Sequence, residues 1–464
     1  MRRLVLLALL AAAGCTAGPD YHLPERALVN APAAQGAFAN AAEPAFVPAD
    51  LPDHWWRLYA DPRLDGFIGE ALSANTDLRA AEANLRRAGA VIREAEAART
   101  VGTSLSGGAT FTHTAAGSRL GDDIAYSLGG ALSYPLDLAG GIRRGIEAAR
   151  ADAEASQAAR DQVRVAVAAA VARNYAAACS ANRTLAAAER VLGVQRDTLN
   201  AITRLFRGGR NTAFDVTRAQ AAVDQSAAQI PAILASRQAS LYALAALMGR
   251  PAAAYPRVVE ACATPPILHR PLPIGDGAAL LRRRPDIRQA ERSLAAATAA
   301  IGVESAQLYP QISLGGSLAV AGPVSTIGSA ASLTGSLGPL VSWSFPNRIG
   351  VRARIAEAGA AADAAAAQFD GTVLTALQDV ETALNAYARE IDRNRALSRA
   401  RDDAATAAAQ ANRLFRFGRT DFLNVLSAQS NLATAESALA ASDATLVDRQ
   451  IAVFLSLGGG WQPD

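Results

Sequence analysis

Asp77-Leu78-Arg79-Ala80-Ala81-Glu82 returns 209 residues later as Asp286-Ile287-Arg288-Gln289-Ala290-Glu291. The offset then persists without a gap. Thr103-Ser104-Leu105-Ser106 corresponds to Ile312-Ser313-Leu314-Gly315, Ser127-Leu128-Gly129 to Ser336-Leu337-Gly338, and Gly141 to Gly350. Arg204-Leu205-Phe206-Arg207-Gly208-Gly209-Arg210 corresponds to Arg413-Leu414-Phe415-Arg416-Phe417-Gly418-Arg419, and the match ends near Gly249 and Gly458. The chain therefore holds one long unit twice, which predicts an internal two-fold pseudo-repeat.

Within each copy the hydrophobic period changes. Residues 68–98 place Leu72, Leu78, Ala81, Leu85 and Ile92 at helical spacing. From residue 101 the period is two. Val101, Leu105 and Phe111 alternate with Gly102, Ser104 and Ser106; Gly117 to Asp123 reads as a polar turn; Ile124, Leu128, Leu132 and Tyr134 alternate with Ala125, Ser127 and Ser133. The second copy alternates likewise, Ile312, Leu314 and Leu318 against Ser313 and Ser317, then Leu333, Leu337, Val341, Trp343 and Phe345 against Thr334, Ser336, Ser342 and Ser344. Apolar residues alternating with small and polar ones over about ten residues is the dyad pattern of a transmembrane β-barrel, although one strand alone reads equally as a hairpin of a soluble sheet. Tyr134, Trp343 and Phe345 close the strands where an interfacial aromatic girdle would lie. Four strands cannot close a barrel, since the smallest have about eight, so the chain is expected to oligomerise; a trimer gives twelve. A long helical stretch follows each hairpin. Pro231 is expected to kink the helix after the first tip turn.

The expected organisation is a signal segment 1–14, an extended arm 15–66 and repeat 1 over 67–249. Repeat 1 comprises a helix, hairpin 101–135, long helix 141–206, tip turn 207–212 and helix 213–249. A linker 250–275 leads to repeat 2 over 276–458, with hairpin 310–345, long helix 350–415, tip turn 416–421 and helix 422–458, and a tail 459–464. The run Arg282-Arg283-Arg284 reads as a solvated face. Met1-Arg2-Arg3, the apolar run Leu4–Ala13 and Gly14-Cys15 have the layout of an export signal. Ten apolar residues are too few to span ~30 Å of hydrocarbon, and no later segment reads as an uninterrupted span. Ala12-Ala13-Gly14-Cys15 resembles a bacterial lipoprotein box, which implies that Cys15 is lipidated; Thr16, not Asp, follows it and favours outer-membrane delivery. Export makes a disulfide between Cys179 and Cys262 possible, but two separate thiols is the favoured reading, because sequence does not place their Cα atoms within bridging range.

Net charge is +3, with 45 Lys and Arg against 42 Asp and Glu, so nucleic acid is not an expected partner. His22, His54, His113 and His269 are scattered, no cysteine spacing suits a metal, and no phosphate loop or Ser-His-Asp arrangement stands out. Catalysis, a metal and a cofactor are therefore not expected.

The chain resembles the TolC-type outer-membrane efflux lipoproteins of the OprM/NodT-like branch. The resemblance is carried by Cys15 with Gly18-Pro19-Asp20-Tyr21, Trp55-Trp56-Arg57-Leu58-Tyr59 with Asp61-Pro62, Arg283-Arg284-Pro285-Asp286-Ile287-Arg288-Gln289-Ala290-Glu291, Tyr309-Pro310-Gln311-Ile312-Ser313 and the two tips. It implies a mainly α-helical mixed fold: a homotrimer with a twelve-stranded barrel in the outer membrane, four strands from each protomer, continued by a long periplasmic α-helical barrel. It also implies passive export of drugs or other small molecules, with a periplasmic adaptor and an inner-membrane pump of RND, MFS or ABC type as partners. The one-step (type I) protein secretion duct is the alternative within the family, and a periplasmic coiled-coil spacer the alternative outside it.

The resemblance also implies site residues. The tips of the family face the periplasm and dock the adaptor, which points to Gly209, Arg210, Gly418 and Arg419. Asp215, Phe214, Leu423, Asn424 and Ser427 fall where the periplasmic aperture would lie. Asp215 reads either as one carboxylate of a three-fold ring or as a helix cap. Leu423 and Phe214 read as a constriction or as coil packing. Some relatives carry acids at the positions of Asn424 and Ser427, and this chain does not.

Overall fold

The computed structural model describes residues 16–116, 119–346 and 348–461; the expected lipidation residue, Cys15, lies outside the described residues. The chain divides into two compact units, 1–27 with 83–158 and 288–371, and 28–82 with 159–287 and 372–464.

The first unit holds an antiparallel sheet of β2 (Gly102–Ala116), β3 (Arg119–Leu136), β5 (Gln311–Pro323) and β6 (Leu333–Ser342), in the order β2-β3-β5-β6. The register explains the alternating sequence. Leu105 pairs with Gly130, Gly130 with Leu318, and Leu318 with Gly335; in the next apolar row Thr103, Leu132, Gly316 and Leu337 are partners. Directly paired residues share a face, so one face collects most of the large apolar side chains of the four strands, and in these two rows each leucine lies beside a glycine. A Cβ on Gly316 would stand 3.2 Å from Leu132 Cδ1 and from Leu337 Cδ1, so these leucines cover the glycine. The apolar face is exposed in the protomer, Leu105 by 80% and Leu337 by 78%. Serines line the other face, where the Ser317 and Ser336 hydroxyls meet at 2.8 Å.

Two details differ from the sequence reading. β2 continues to Ala116 and β3 begins at Arg119, so the polar segment expected as a turn is mostly strand. β6 ends at Ser342, so Trp343 and Phe345 follow the strand, stacked at 4.7 Å with the Arg348 guanidinium 5.3 Å from each ring.

The helices come in repeat-related sets. In the first copy these are α1 (Pro62–Ala74), α2 (Thr76–Ala97), α3 (Gly141–Arg207) and α4 (Ala213–Leu247). The second copy has α5 (Gly277–Arg283), α6 (Pro285–Ala306), α7 (Ile349–Arg416) and α8 (Phe422–Ser456). The single helix expected over 68–98 is two helices broken at Asn75. Buried Asn75 caps α2 by accepting from Asp77 N and Leu78 N, and its amide donates to Leu247 O at the end of α4. Its counterpart 209 residues on is Arg284, which donates to Ser456 O, 209 residues after Leu247, at 2.9 Å. The arginine run is therefore a solvated face only at Arg282, which is exposed. Arg284 is buried against Asp286 and Asp379, and Arg283 pairs with Asp53, because carboxylates and helix-end carbonyls converge on them.

α4 passes through Pro231 as one helix. By length and composition alone α4 is also apolar enough to cross a membrane. Its leucines and isoleucines make it so, and within its apolar stretch Leu241, Leu244 and Ala245 are buried in the protein.

The core of the second unit gathers Trp55, Trp56, Tyr175 and Phe454, with Trp55 stacked on Phe454 at 4.7 Å. Asp61 caps α1 ahead of Pro62 at the first helical position, and its other oxygen accepts from Tyr175 OH at 2.7 Å. The arm is more than an extended strand, since β1 (Phe46–Val47) pairs in parallel with β4 (Leu272–Pro273) of the linker. Cys179 and Cys262 do not stand apart. They form a disulfide with Cα atoms 4.9 Å apart, because the linker folds back on α3, where Asn182 donates to Val259 O and Cys262 O. Their separation of 83 residues hid that approach in the sequence.

Candidate functional site

The two tips lie in the second unit, and each is built from a helix stop and a helix start. At the first stop, Gly209 N donates to Phe206 O and Arg210 N to Leu205 O, both at 2.9 Å. At the second, Gly418 N donates to Phe415 O and Arg419 N to Leu414 O, again at 2.9 Å. This is the Schellman pattern, and it places the glycines at φ +68° and +65°. A Cβ at either glycine meets nothing within 4 Å, so the backbone conformation and not space selects glycine there. Arg210 and Arg419 follow directly; both are exposed and neither forms an ion pair among the described residues.

The helix starts show how the copies diverged. Thr212 and Asp215 form a capping box: the Thr212 hydroxyl accepts from Asp215 N at 3.2 Å, and Asp215 Oδ2 accepts from Thr212 N at 3.1 Å. In the second copy Asp421 is the cap and accepts from Asn424 N at 3.0 Å, while the Asn424 amide donates to Thr420 Oγ1 at 3.0 Å. The acid missing at Asn424 has moved three residues, to Asp421. The sequence reading missed Asp421, although an acid three residues before Asn424 at a helix start is itself a cap signal.

Between the tips a small core holds Ile202, Ala219, Phe422 and Val425, and Gln429 Nε2 donates to Thr198 Oγ1 at 3.1 Å. This core ties α3 to α8. Phe214 and Leu423, related by the 209 offset, do not enter it and are 66% and 42% exposed. The Arg218 guanidinium lies 5.3 Å from the Phe214 ring. Leu423, Ser427 and Arg218 line one groove of about 980 Å³ along α3, α4 and α8.

The residues after Cys15 are held by the first unit. Ala17 N donates to Ala139 O at 2.9 Å, and the Arg143 side chain donates to Thr16 Oγ1 at 3.2 Å. Arg144, buried, donates to Ala17 O and pairs with Asp20 and Glu147. Burial pulls its pKa down, but these two carboxylates more than offset that and the net direction is up. Gly18, at φ +79°, packs so closely that a Cβ there would stand 2.4 Å from Gly302 Cα. Tyr21 OH donates to Glu291 at 2.7 Å, and burial first, then that carboxylate, push its pKa up. The quoted motifs Gly18–Tyr21 and Asp286–Glu291 therefore meet in space at Tyr21 and Glu291. Thr16 itself lies against Gly140, just beyond the end of β3.

Comparison with known proteins agrees with this architecture. The family model described as outer membrane efflux protein matches twice, over residues 67–250 and 278–459. Nodulation protein T of Rhizobium leguminosarum bv. trifolii is 29% identical over 453 residues, covering 97% of this chain and 95% of that protein. Outer membrane protein OprJ of Pseudomonas aeruginosa is 30% identical over 475 residues, covering 98% and 95%. The structure of the outer-membrane channel OprN superposes with a TM-score of 0.88 at 34% identity, covering 97% of this chain and 100% of that one. The chain belongs to the outer membrane efflux protein family, whose members are channels and not enzymes.

Proposed function

We propose that this chain is the outer-membrane duct of a tripartite efflux system. Three copies close a twelve-stranded barrel, a periplasmic adaptor docks at the tips, and an inner-membrane pump of RND, MFS or ABC type drives small molecules through a passive pore. The observation that carries this reading is the single exposed apolar face running in register through β2, β3, β5 and β6. Such a face is stable against lipid. The outer sides of β2 and β6 are open in the protomer, and open sheet edges do not persist in hydrocarbon, so further strands must come from other copies. Pyoverdine export outer membrane protein OpmQ of Pseudomonas putida, 30% identical over 433 residues, favours small-molecule cargo over secreted proteins.

Three groups of residues take roles in this reading. Cys15 carries the lipid, since Thr16 is held beside the end of β3. Gly209, Arg210, Gly418 and Arg419 meet the adaptor. Asp215, Phe214, Leu423, Asn424 and Ser427 border the aperture, Phe214 and Leu423 being exposed in the protomer as pore residues would be. Paired cysteines scanned along β2 and β6 test the assembly. On non-reducing gels of oxidised outer membranes we expect a cross-linked ladder ending at three protomers. A ladder ending at two, or no intermolecular product at any register, removes the barrel reading.

A further inference from the structure

We infer that a cavity at the α-helical end of the sheet binds the phosphate of an anionic glycerophospholipid headgroup. The inference rests on the reading that the sheet stands in the outer membrane. The cavity, of about 350 Å³, lies within the first unit, between the residues following Cys15, the end of α2, the start of α3 and α6. Four arginines line it, Arg99, Arg143, Arg150 and Arg292, against two glutamates, Glu147 and Glu154. Both glutamates are already engaged, Glu147 by Arg144 at 2.7 Å and Glu154 by Arg292 at 3.0 Å. Arg150 is engaged by Glu96 at 2.7 Å. Arg99 and Arg143 form no ion pair among the described residues, and the Arg143 guanidinium donates to the Thr16 hydroxyl. The cavity therefore presents two guanidinium groups with no carboxylate assigned to them. The start of α3 is not the attracting group, because Asp137 already accepts from Ile142 N and Arg143 N.

Position selects the ligand. Arg99 precedes β2 by three residues, and Arg143 follows β3; Gly102 pairs with Ser133, so both lie at one end of the sheet. The apolar face begins there with Leu132 and Leu136. The stacked Trp343 and Phe345, with Arg348 beside them, follow β6 at the same end, since Gln311 pairs with Ser342 and Leu136 with Ile312. An aromatic pair at the edge of an apolar band marks the headgroup level, and two of the cavity's arginines, Arg99 and Arg143, stand at that end of the sheet, Arg143 bonded to Thr16. Arginine forks match phosphate oxygens in pairs. The ligand is thus a lipid phosphate.

The test uses full-length protein in nanodiscs of phosphatidylethanolamine mixed with phosphatidylglycerol, with lipid adducts read by native mass spectrometry. We expect the wild type to retain phosphatidylglycerol in preference. R99Q/R143Q should lower that preference about tenfold or more, the loss expected for one charge-assisted hydrogen bond. R99K/R143K should keep part of it. R93Q, at an exposed arginine away from the cavity, should leave it unchanged. Equal retention by wild type and R99Q/R143Q overturns the inference. Displacement of the lipid by inorganic phosphate assigns the cavity to a soluble anion and also overturns it. Should R99Q/R143Q fail to assemble, the wild type decides, because equal retention of phosphatidylglycerol and phosphatidylethanolamine overturns the site. Trimer formation in the same nanodiscs reports separately on the channel reading.

Discussion

Replacing Arg284 with alanine should loosen the end of α8 by about 3 kcal/mol. The guanidinium reaches Asp286 through two bonds, at 3.0 and 2.6 Å, Asp379 at 3.3 Å and Ser456 O at 2.9 Å. Its side chain is 9% exposed. Removing one partner of a buried pair costs about 3–5 kcal/mol, because the remaining charge is left uncompensated. Asp286 and Asp379 keep 26% and 50% of their side-chain surface, so water recovers part of that loss and the lower end applies. Global unfolding of a large membrane protein is irreversible in practice, so local opening is the better observable. Hydrogen exchange of the amides at the C-terminal end of α8 should accelerate by about two decades, the factor corresponding to about 3 kcal/mol. Lysine at this position keeps the charge but not the fork, and should restore only part of the protection. The equivalent Asn75→Ala change removes no charge. It should release α4 by about 1–2 kcal/mol, from the lost cap and the orphaned Leu247 carbonyl. Exchange that changes less than threefold in Arg284→Ala, or full rescue by lysine, would show that the buried fork does not hold the helix end.

Three further outcomes follow from the geometry. Converting Cys179 and Cys262 to serine opens a loop of 83 residues and should destabilise the linker's attachment to α3 by at most about 4–5 kcal/mol on the loop-entropy estimate; proteolysis within 250–275 should quicken, and an unchanged cleavage rate would count against the staple. Alanine at Gly209 or Gly418 should cost about 1–2 kcal/mol each through positive φ alone, seen as faster amide exchange confined to that tip, and asparagine should cost less; equal exchange for all three residues would contradict the conformational account. Acid should weaken the contact between α1 and the segment before it. Asp65 is held below the usual carboxylate range first by Trp56 Nε1 and then by Arg57. Its contribution is complete above the unfolded value of about 4 and is lost as pH falls through the lower folded value. An acid limb of the thermal-stability profile that is identical in Asp65→Asn removes this group from the account.

The sequence made the repeat and the strands legible, because both depend on local period. Alternation at 101–113 and 124–134 needs only neighbours to be read, and the 209 offset needs only comparison of the chain with itself. What stayed hidden depended on partners distant in sequence. Asn75 looked like an ordinary helical residue because its acceptor is Leu247 O. Arg284 looked solvated because Asp379 and Ser456 lie far along the chain. The disulfide stayed hidden because nothing near Cys179 signals that a linker will fold back on it. At the tips, Gly-Arg and the acid of the first copy were visible. The acid of the second copy was not legible from the repeat, because it stands at the N-cap, Asp421, where the first copy has Thr212, and not at the position of Asp215.

That pair also changes how Asp215 is to be judged. As a cap it receives both Thr212 bonds on Oδ2, while Oδ1 has no partner among the described residues. A capping carboxylate remains an anion, so capping and lining an aperture are compatible roles. Alanine at Asp215 removes both at once and cannot separate them. Asparagine separates them, because its carbonyl oxygen still accepts from Thr212 N while its charge is gone, and Asn424 shows that the fold accepts the amide at this position. If the ring of carboxylates matters, Asp215→Asn alone should lower cation preference in planar-bilayer conductance, and adding Asp421→Asn should lower it further, since a trimer would carry six tip carboxylates and not three. If selectivity changes only in Asp215→Ala, the effect belongs to the frayed helix start, and the tip acids are structural.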